Sequence, residues 1–233
     1  MRIQAVSTMH NEAGNIVEFV QTIEHFRGKL GIDLSATVVD NGSTDDSQTV
    51  IRQLSHLPYL KFLRNPENSS YADGIELALA HCNAEYVLFI PGDMQFHLDD
   101  ISLVLKHFLL KYRENDKKQF AIFTSRSIRN DGHYSRIRGF IWKKVCCKYL
   151  KIGQNLDPAS QLRIIPNRII DKLQARNFIW DIECLLKTLD KVDSYDVVDV
   201  SFHKRIRGRS SLDKRPWVPV IQALTALYAL KKV

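Results

Sequence analysis

An α/β fold with a mostly parallel sheet flanked by helices is predicted by three features. Short apolar runs alternate with segments of helical periodicity, the run Tyr86-Val87-Leu88-Phe89-Ile90 is apolar without a break, and polar, acid-bearing stretches follow the first, second and fourth runs. A strand covered by helices on both faces reads as such an unbroken run. Strands alternating with helices imply parallel pairing through right-handed crossovers. In such sheets ligand groups collect where the strands end.

The elements follow in order. Residues 3–7 read as a strand, and 11–26 as a helix with Ile16, Val17, Phe19, Val20 and Ile23 on its apolar face. Residues 34–40 form a second strand ending in Asn41-Gly42-Ser43-Thr44, with a helix over 45–54. A third strand over 59–62 precedes a helix over 69–81, and the apolar strand 86–90 leads through Pro91-Gly92 to a helix over 99–112. Residues 120–124 read as a strand, 134–150 as a basic helix, 162–165 as an edge strand, 181–189 as a helix and 195–202 as a strand. The basic, nearly apolar-free segment 203–215 is expected to be a mobile loop, and 216–230 is apolar on nearly every face.

The 233 residues, 45% hydrophobic and 25% charged, match a single globular domain and exclude disorder over most of the length. Residues 1–211 are assigned to the main domain and 212–233 to a basic, apolar C-terminal helix. The chain starts in strand-like sequence without a charged-then-apolar leader, and the four cysteines lack metal-ligand spacing. Reduced thiols and a cytoplasmic location are therefore expected. The net charge of +7 is uneven: residues 1–125 hold 11 basic and 16 acidic residues, and 126–233 hold 22 and 10. That asymmetry points to an anionic partner, which charge alone does not identify.

Three carboxyl-bearing stretches stand at predicted strand ends: Asn11-Glu12, Asp40 to Asp45, and Pro91-Gly92-Asp93-Met94-Gln95. Each has a plain structural reading, with Asn11, Ser43 or Thr44 as helix caps and Pro91-Gly92 as a turn. Their coincidence at one sheet edge favours a ligand site.

These residues resemble the inverting family 2 glycosyltransferases, whose catalytic domain has the nucleotide-sugar-binding GT-A fold. Thr8-Met9-His10-Asn11-Glu12 is similar to that family's Pro-Thr-Tyr-Asn-Glu, and Val38-Val39-Asp40-Asn41-Gly42-Ser43-Thr44-Asp45 to its Val-Val-Asp-Asp-Gly-Ser-Thr-Asp. The stretch 86–95 resembles Tyr-Val-Leu-Phe-Leu-Asp-Ala-Asp-Leu-Gln. Later pieces resemble the polyprenyl-phosphate branch, the relatives of dolichol-phosphate mannose synthase. Asp157-Pro158-Ala159-Ser160-Gln161-Leu162-Arg163 is similar to Asp-Pro-Thr-Ser-Gly-Phe-Arg, Phe178-Ile179-Trp180-Asp181-Ile182-Glu183 to Phe-Ala-Phe-Asp-Val-Glu, and Arg205 to Ser210 to Arg-x-x-Gly-x-Ser. The likeness runs in order from about residue 3 to residue 211, and the second motif is its most specific part.

The resemblance implies a site by position. Thr8, Asn11, Glu12, Asp40, Gly42, Asn68, Asp93 and Arg205 would bind a UDP- or GDP-sugar donor. Asp93 and Gln95, with His203 as a substitute ligand, would face Mg²⁺ or Mn²⁺ on its diphosphate, where hard oxygen ligands suit those ions. Arg126, Arg136, Arg138 and Ser160 would hold the acceptor, Arg being suited to phosphate. Asp93, Asp181 and Arg126 are the candidate catalytic residues. Pro91 replaces the first Asp of the family's Asp-x-Asp, and Ser70, Ala72 and Gln161 replace glycines.

The acceptor decides the mechanism. A sugar hydroxyl needs a general base, for which Asp181 is the candidate with Glu183 behind it; the alternative reading of both is as first-turn helix carboxylates. A lipid phosphate is already anionic and needs positioning alone, and the basic second half favours it. The implied function is inverting transfer to a polyprenyl-phosphate or other lipid-linked acceptor. The alternatives are transfer to a glycan hydroxyl in cell-surface polysaccharide synthesis, and a silent nucleotide-sugar binder, the latter motivated by Pro91. A basic nucleic-acid-binding protein is the rival of another class. No nucleic acid is expected, because acidic strand ends repel a phosphate backbone. Residues 216–230 would make a helix of about 22 Å, short of the roughly 30 Å hydrocarbon core. That segment either packs on the domain or makes peripheral contact at the cytoplasmic membrane face.

Overall fold

The computed structural model describes residues 1–114, 119–170, 173–175 and 179–205. The proposed C-terminal helix and most of the 203–215 loop lie outside the described residues.

Strand β1 (Arg2–Met9) leads through α1 (Ala13–Leu30) to β2 (Asp33–Asn41), and α2 (Ser47–Leu54) to β3 (Leu60–Asn65). Helix α3 (Tyr71–Leu79), β4 (Tyr86–Phe89) and α4 (Leu98–Glu114) follow, then β5 (Phe120–Arg129) and α5 (His133–Leu150). Strand β6 (Arg163–Pro166), α6 (Ile179–Lys191) and β7 (Ser194–Phe202) complete the series. Helix α1 stops at Gly31, which takes the left-handed conformation (φ 59°) that a C-terminal cap requires. Helix α3 starts at a reciprocal capping box between Ser70 and Asp73.

The seven strands form one sheet in the order β3-β2-β1-β4-β6-β5-β7. All neighbours are parallel except β6, which is antiparallel to both β4 and β5. Period-two alternation divides the core between the two faces. Ile3, Ala5, Val38 and Leu88 pack with α1 and α4 residues such as Phe19 and Phe108, while Val6, Val39, Val87 and Phe89 pack with Ala72, Ile75 and Trp180 of α3 and α6. Both faces of β4 are thus buried, as its unbroken apolar run predicts.

The edge placement expected for 162–165 is corrected: β6 lies in the sheet interior and all four of its residues are buried. A short apolar run fixes burial but neither neighbours nor direction. Because β6 alone is reversed, its beginning meets the carboxyl ends of β4 and β5, and the 157–163 motif joins the edge where β1, β2 and β4 finish. Strand β5 also continues past residue 124, through a register shift between Ser125 and Ile128. Such an irregularity bends a strand and re-aims the side chain within it, here Arg126.

Candidate active site

The ends of β1 and β2 are stitched together by their own polar residues. Asn11 donates its N–H to Ser43 Oγ (2.9 Å) and its Oδ1 accepts the Thr44 N–H (2.8 Å). Glu12 occupies the position before α1 without a side-chain capping bond. Of the two readings offered by the sequence, cap or site, these residues therefore join strand ends. Asp45 accepts the Ala13 and Ser47 N–H groups. Burial alone would raise its carboxyl, but Ser47 and those amides outweigh it and hold it below the usual range. Asn11 takes a positive φ of 56°, and Met94, beside Asp93, one of 50°. Asn adopts this region more readily than Met, so two uncommon backbone conformations flank the same site.

Asp40 is 1% exposed. It accepts the Ser43 N–H at 3.0 Å and the Gln48 side-chain amide, and Arg64 stands 3.6 Å away on the neighbouring strand. Gly42 has φ 69°, and a Cβ there would lie 2.4 Å from the Glu67 carbonyl carbon and 2.5 Å from the Asn68 nitrogen. Only glycine lets the 67–68 segment pass this closely. Asn68 is thereby brought beside the β2 end. Its side-chain nitrogen is 3.3 Å from His10 Nε2, and its Oδ1 accepts from Asn41 at 3.4 Å. His10, not among the site residues expected from the sequence, also contacts the Asn41 carbonyl oxygen at 3.0 Å and the Asn11 side chain at 3.3 Å. Its place inside the first motif was the signal available. Thr8 lies under α3, where a Cβ on Gly74 would stand 2.2 Å from its Oγ1.

The third stretch is a turn that presents Asp93. A Cβ on Gly92 would meet the Thr8 carbonyl oxygen at 2.8 Å, so glycine allows the turn to rest on the end of β1. Arg205, just past β7, crosses this edge. Its Nη2 donates to Asp93 Oδ2 at 2.8 Å, and Nη1 and Nε stand 3.4 Å from Glu12 Oε1 and Gln95 Oε1. Gln95 fixes the segment by donating to the His203 carbonyl (2.6 Å), while His203 N–H donates to the Gln95 carbonyl (2.9 Å). The start of the expected mobile loop is thus docked. The His203 ring stacks on His97 at 3.6 Å and its Nε2 is 3.4 Å from Asp100. Asp100, not singled out from the sequence, also accepts the His97 and Ser201 N–H groups and so joins α4 to β7.

Glu12 is pushed up to about 6, by burial first and then by the charge of Asp93, against the pull of Arg205. Its proton is therefore held by the folded chain between the ordinary carboxylate value of 4.5 and about 6. In that window the folded state binds more protons than the unfolded one, so stability falls as pH rises. The expected loss is on the order of 1 kcal/mol after solvent screening. Denaturant titrations from pH 4 to 7 should record this slope, and Glu12→Gln should flatten it.

Two of the acceptor candidates, Arg126 and Ser160, lie near the end of β5 and the beginning of β6. Arg126 makes a two-point pair with Asp157 (2.8 and 3.1 Å) and lies 5.0 Å from the Phe202 ring. Burial opposes ionisation of Asp157, and Arg126 outweighs it to hold the carboxyl low. Ser160 Oγ is 2.6 Å from Thr124 Oγ1. Arg136 and Arg138 are exposed on α5, Arg136 reaching the Arg129 carbonyl at 3.4 Å.

Asp181 is placed differently from what a solvent-facing base requires. It and Arg163 are each 2% exposed and form a buried ion pair through Asp181 Oδ1, to which the Tyr71 hydroxyl also donates at 3.5 Å, while Gln161 donates to Oδ2 at 2.9 Å. Both oxygens have internal partners, and the arrangement braces α6 against β6. Glu183 accepts the Gln174 and Ala175 N–H groups and pairs with Lys187. Burial would raise it, but these donors hold it low.

Asp93 Oδ2 and Gln95 Oε1, both within 3.4 Å of Arg205, are two side-chain oxygens that could face a divalent ion at this edge. Among the described residues no three His, Cys, Asp or Glu side chains stand together as a metal site. The donor set suits an ion that arrives with phosphate oxygens of its own, since Mg²⁺ is commonly held by one or two protein carboxylates and its substrate.

The sequence matches the model of glycosyl transferase family 2 over residues 5–215. Among solved structures the chain is similar to glucosyl-3-phosphoglycerate synthase from Mycobacterium tuberculosis in complex with Mn²⁺, UDP and glucosyl-3-phosphoglycerate, with a TM-score of 0.73 and 18% identity, covering 98% of this chain and 79% of that one. The same synthase with phosphoglyceric acid gives 0.68 and 18% over 91% of this chain and 74% of that one. A further mycobacterial protein gives 0.67 and 16% over 91% and 69%. With the family match spanning nearly the whole described chain, and its motifs converging on one sheet edge, the protein belongs to glycosyl transferase family 2 and has its nucleotide-sugar-using GT-A fold.

Proposed function

We propose that the protein transfers a sugar, with inversion, from a UDP- or GDP-sugar to an acceptor that presents a phosphate, a polyprenyl phosphate in the first instance. The observation that carries the donor half is the meeting of Asp93, Gln95, Glu12 and Arg205 at one edge, beside the polar group of His10, Asn11, Asn41 and Asn68. The base and ribose are assigned to that group, which the buried Asp40 steadies through the Ser43 N–H, and the diphosphate to Asp93 and Arg205. A bound Mg²⁺ or Mn²⁺, held by Asp93 and Gln95, would offset charge on the departing nucleoside diphosphate. The similar mycobacterial synthase is complexed with Mn²⁺ and UDP-glucose, which supports this choice of ion. Among the described residues no helix is long and apolar enough to cross a membrane.

The acceptor half rests on Asp181. Because its carboxylate is buried against Arg163, it is poorly placed to take a proton from a sugar hydroxyl, and an anionic phosphate needs no base. Arg136 and Arg138, exposed at the start of α5, are the cations assigned to that phosphate, with Arg126 and Ser160 assigned to the same acceptor. Pro91 favours the second reading, a donor binder without turnover.

Melting curves with a panel of UDP- and GDP-sugars and Mn²⁺, read alongside release of nucleoside diphosphate, test these assignments. A rise in Tm confined to one base is the expected result. No rise with any nucleotide at millimolar concentration would sink the proposal, and a rise without release in the presence of polyprenyl phosphate would leave the silent binder.

A further inference from the structure

Helix α5 is unusual in that both of its faces carry apolar side chains. Cys146 and Cys147 are fully buried on the inner face, where Cys146 packs with Ile179 and Ile182 of α6. On the outer face Ile137, Phe140, Ile141 and Val145 are 48%, 58%, 55% and 45% exposed. Their spacing of three, four and eight residues from Ile137 places them on one stripe. Lys144 and Lys148 lie along the same stripe, and Lys144 Nζ sits 4.6 Å from the centre of the Phe140 ring. The helix contains five Lys and Arg and no Asp or Glu.

We infer that this outer face is a docking surface for an anionic lipid bilayer. Charge complementarity selects that occupant. A second copy of the chain would set one acid-free basic helix against another, with no carboxylate on either to answer the lysines. A nucleic acid would answer the lysines and leave Phe140 and Ile141 stranded against a polyelectrolyte. A bilayer surface answers both, with headgroup phosphates at the lysines and the acyl boundary at the apolar stripe. Lysine stems lying along apolar surface with their ammonium groups directed outward are suited to that boundary. The face also begins where the site does, since α5 follows β5 at the sheet edge that carries the candidate active site. The inference deepens the lipid-phosphate reading and rests on it for its purpose, but it is tested without donor or acceptor.

The experiment is sedimentation of the full chain with vesicles of phosphatidylcholine and phosphatidylglycerol, against vesicles of phosphatidylcholine alone. Binding to the anionic vesicles is expected, weakening as salt is raised. Phe140→Glu with Ile141→Glu should lower that binding by about tenfold or more, and so should Lys144→Glu with Lys148→Glu. All four side chains are exposed, so the fold and the nucleotide-induced rise in Tm should be unchanged. Equal sedimentation of the Phe140→Glu, Ile141→Glu variant, or no sedimentation of the wild type, would overturn the inference. A dimer in solution that dissociates in that variant would overturn it in favour of a second copy. Loss of the nucleotide effect with vesicle binding intact would instead count against the donor reading alone.

Discussion

Replacing Asp181 with alanine is expected to destabilise the fold by about 3–5 kcal/mol, a fall in Tm of about 6–20 °C for a chain of this size. The variant strands Arg163, whose side chain is 2% exposed and whose guanidinium lies 4.9 Å from the Phe89 ring and 5.7 Å from that of Trp180. Without a carboxylate that cation has aromatic faces and the Asp181 carbonyl oxygen (3.1 Å) as its remaining partners. Arg163 Nε already lacks a hydrogen-bond partner, so the pocket has little capacity to compensate. A general base would behave in the opposite way: turnover would collapse while Tm stayed. The double variant Asp181→Leu, Arg163→Met separates the two roles further, since removing both charges should recover much of the lost stability. Differential scanning calorimetry on Asp181→Leu, Arg163→Met and the double variant gives the coupling directly. Wild-type Tm in Asp181→Ala would refute the structural role.

What the sequence disclosed and what it concealed divide along chain separation. Strand β4 was legible because four consecutive buried residues announce a strand covered on both faces. The ends of β1, β2 and β4 were legible because parallel neighbours must finish at one edge, so local motifs there imply a shared site. Strand β6 was misplaced because its neighbours are set by hydrogen bonds to segments far away in the chain, which four apolar residues do not encode. The polar run Ser125-Arg126-Ser127 concealed the continuation of β5, which pairing with β7 sustains. The Arg126–Asp157 pair and the Arg205 bridge join residues 31 and 112 positions apart. Motif resemblance assigned each arginine to a phosphate, but only the fold reveals which carboxylates they pair with. The same limit explains Asp181, whose place in the motif gave its address and not its partner.

Asp93→Ala is expected to produce the reverse signature of Asp181→Ala. Its ion pair with Arg205 is partly open to solvent, the Arg205 side chain being 27% exposed, so the free protein should lose no more than about 1 kcal/mol. The donor effect should nearly vanish. At a ligand concentration about a hundred times Kd, linkage raises stability by about 2.7 kcal/mol, or about 5–11 °C in Tm. A hundredfold loss of affinity reduces that to about 0.4 kcal/mol, within the scatter of a melting curve. Turnover should fall by about a hundredfold or more, since the group that would hold charge at the diphosphate is gone. Arg205 makes the experiment sharper. With Asp93 removed its guanidinium keeps Glu12 and Gln95, so the edge retains positive charge, and any nucleotide effect that survives measures what Arg205 does for the phosphates by itself. Adding Arg205→Ala to Asp93→Ala should then abolish the residue of that effect. A full-sized rise in Tm with Asp93→Ala would mean that the diphosphate lies elsewhere, and that the convergence of Asp93, Glu12 and Arg205 is a structural clasp for the end of β7.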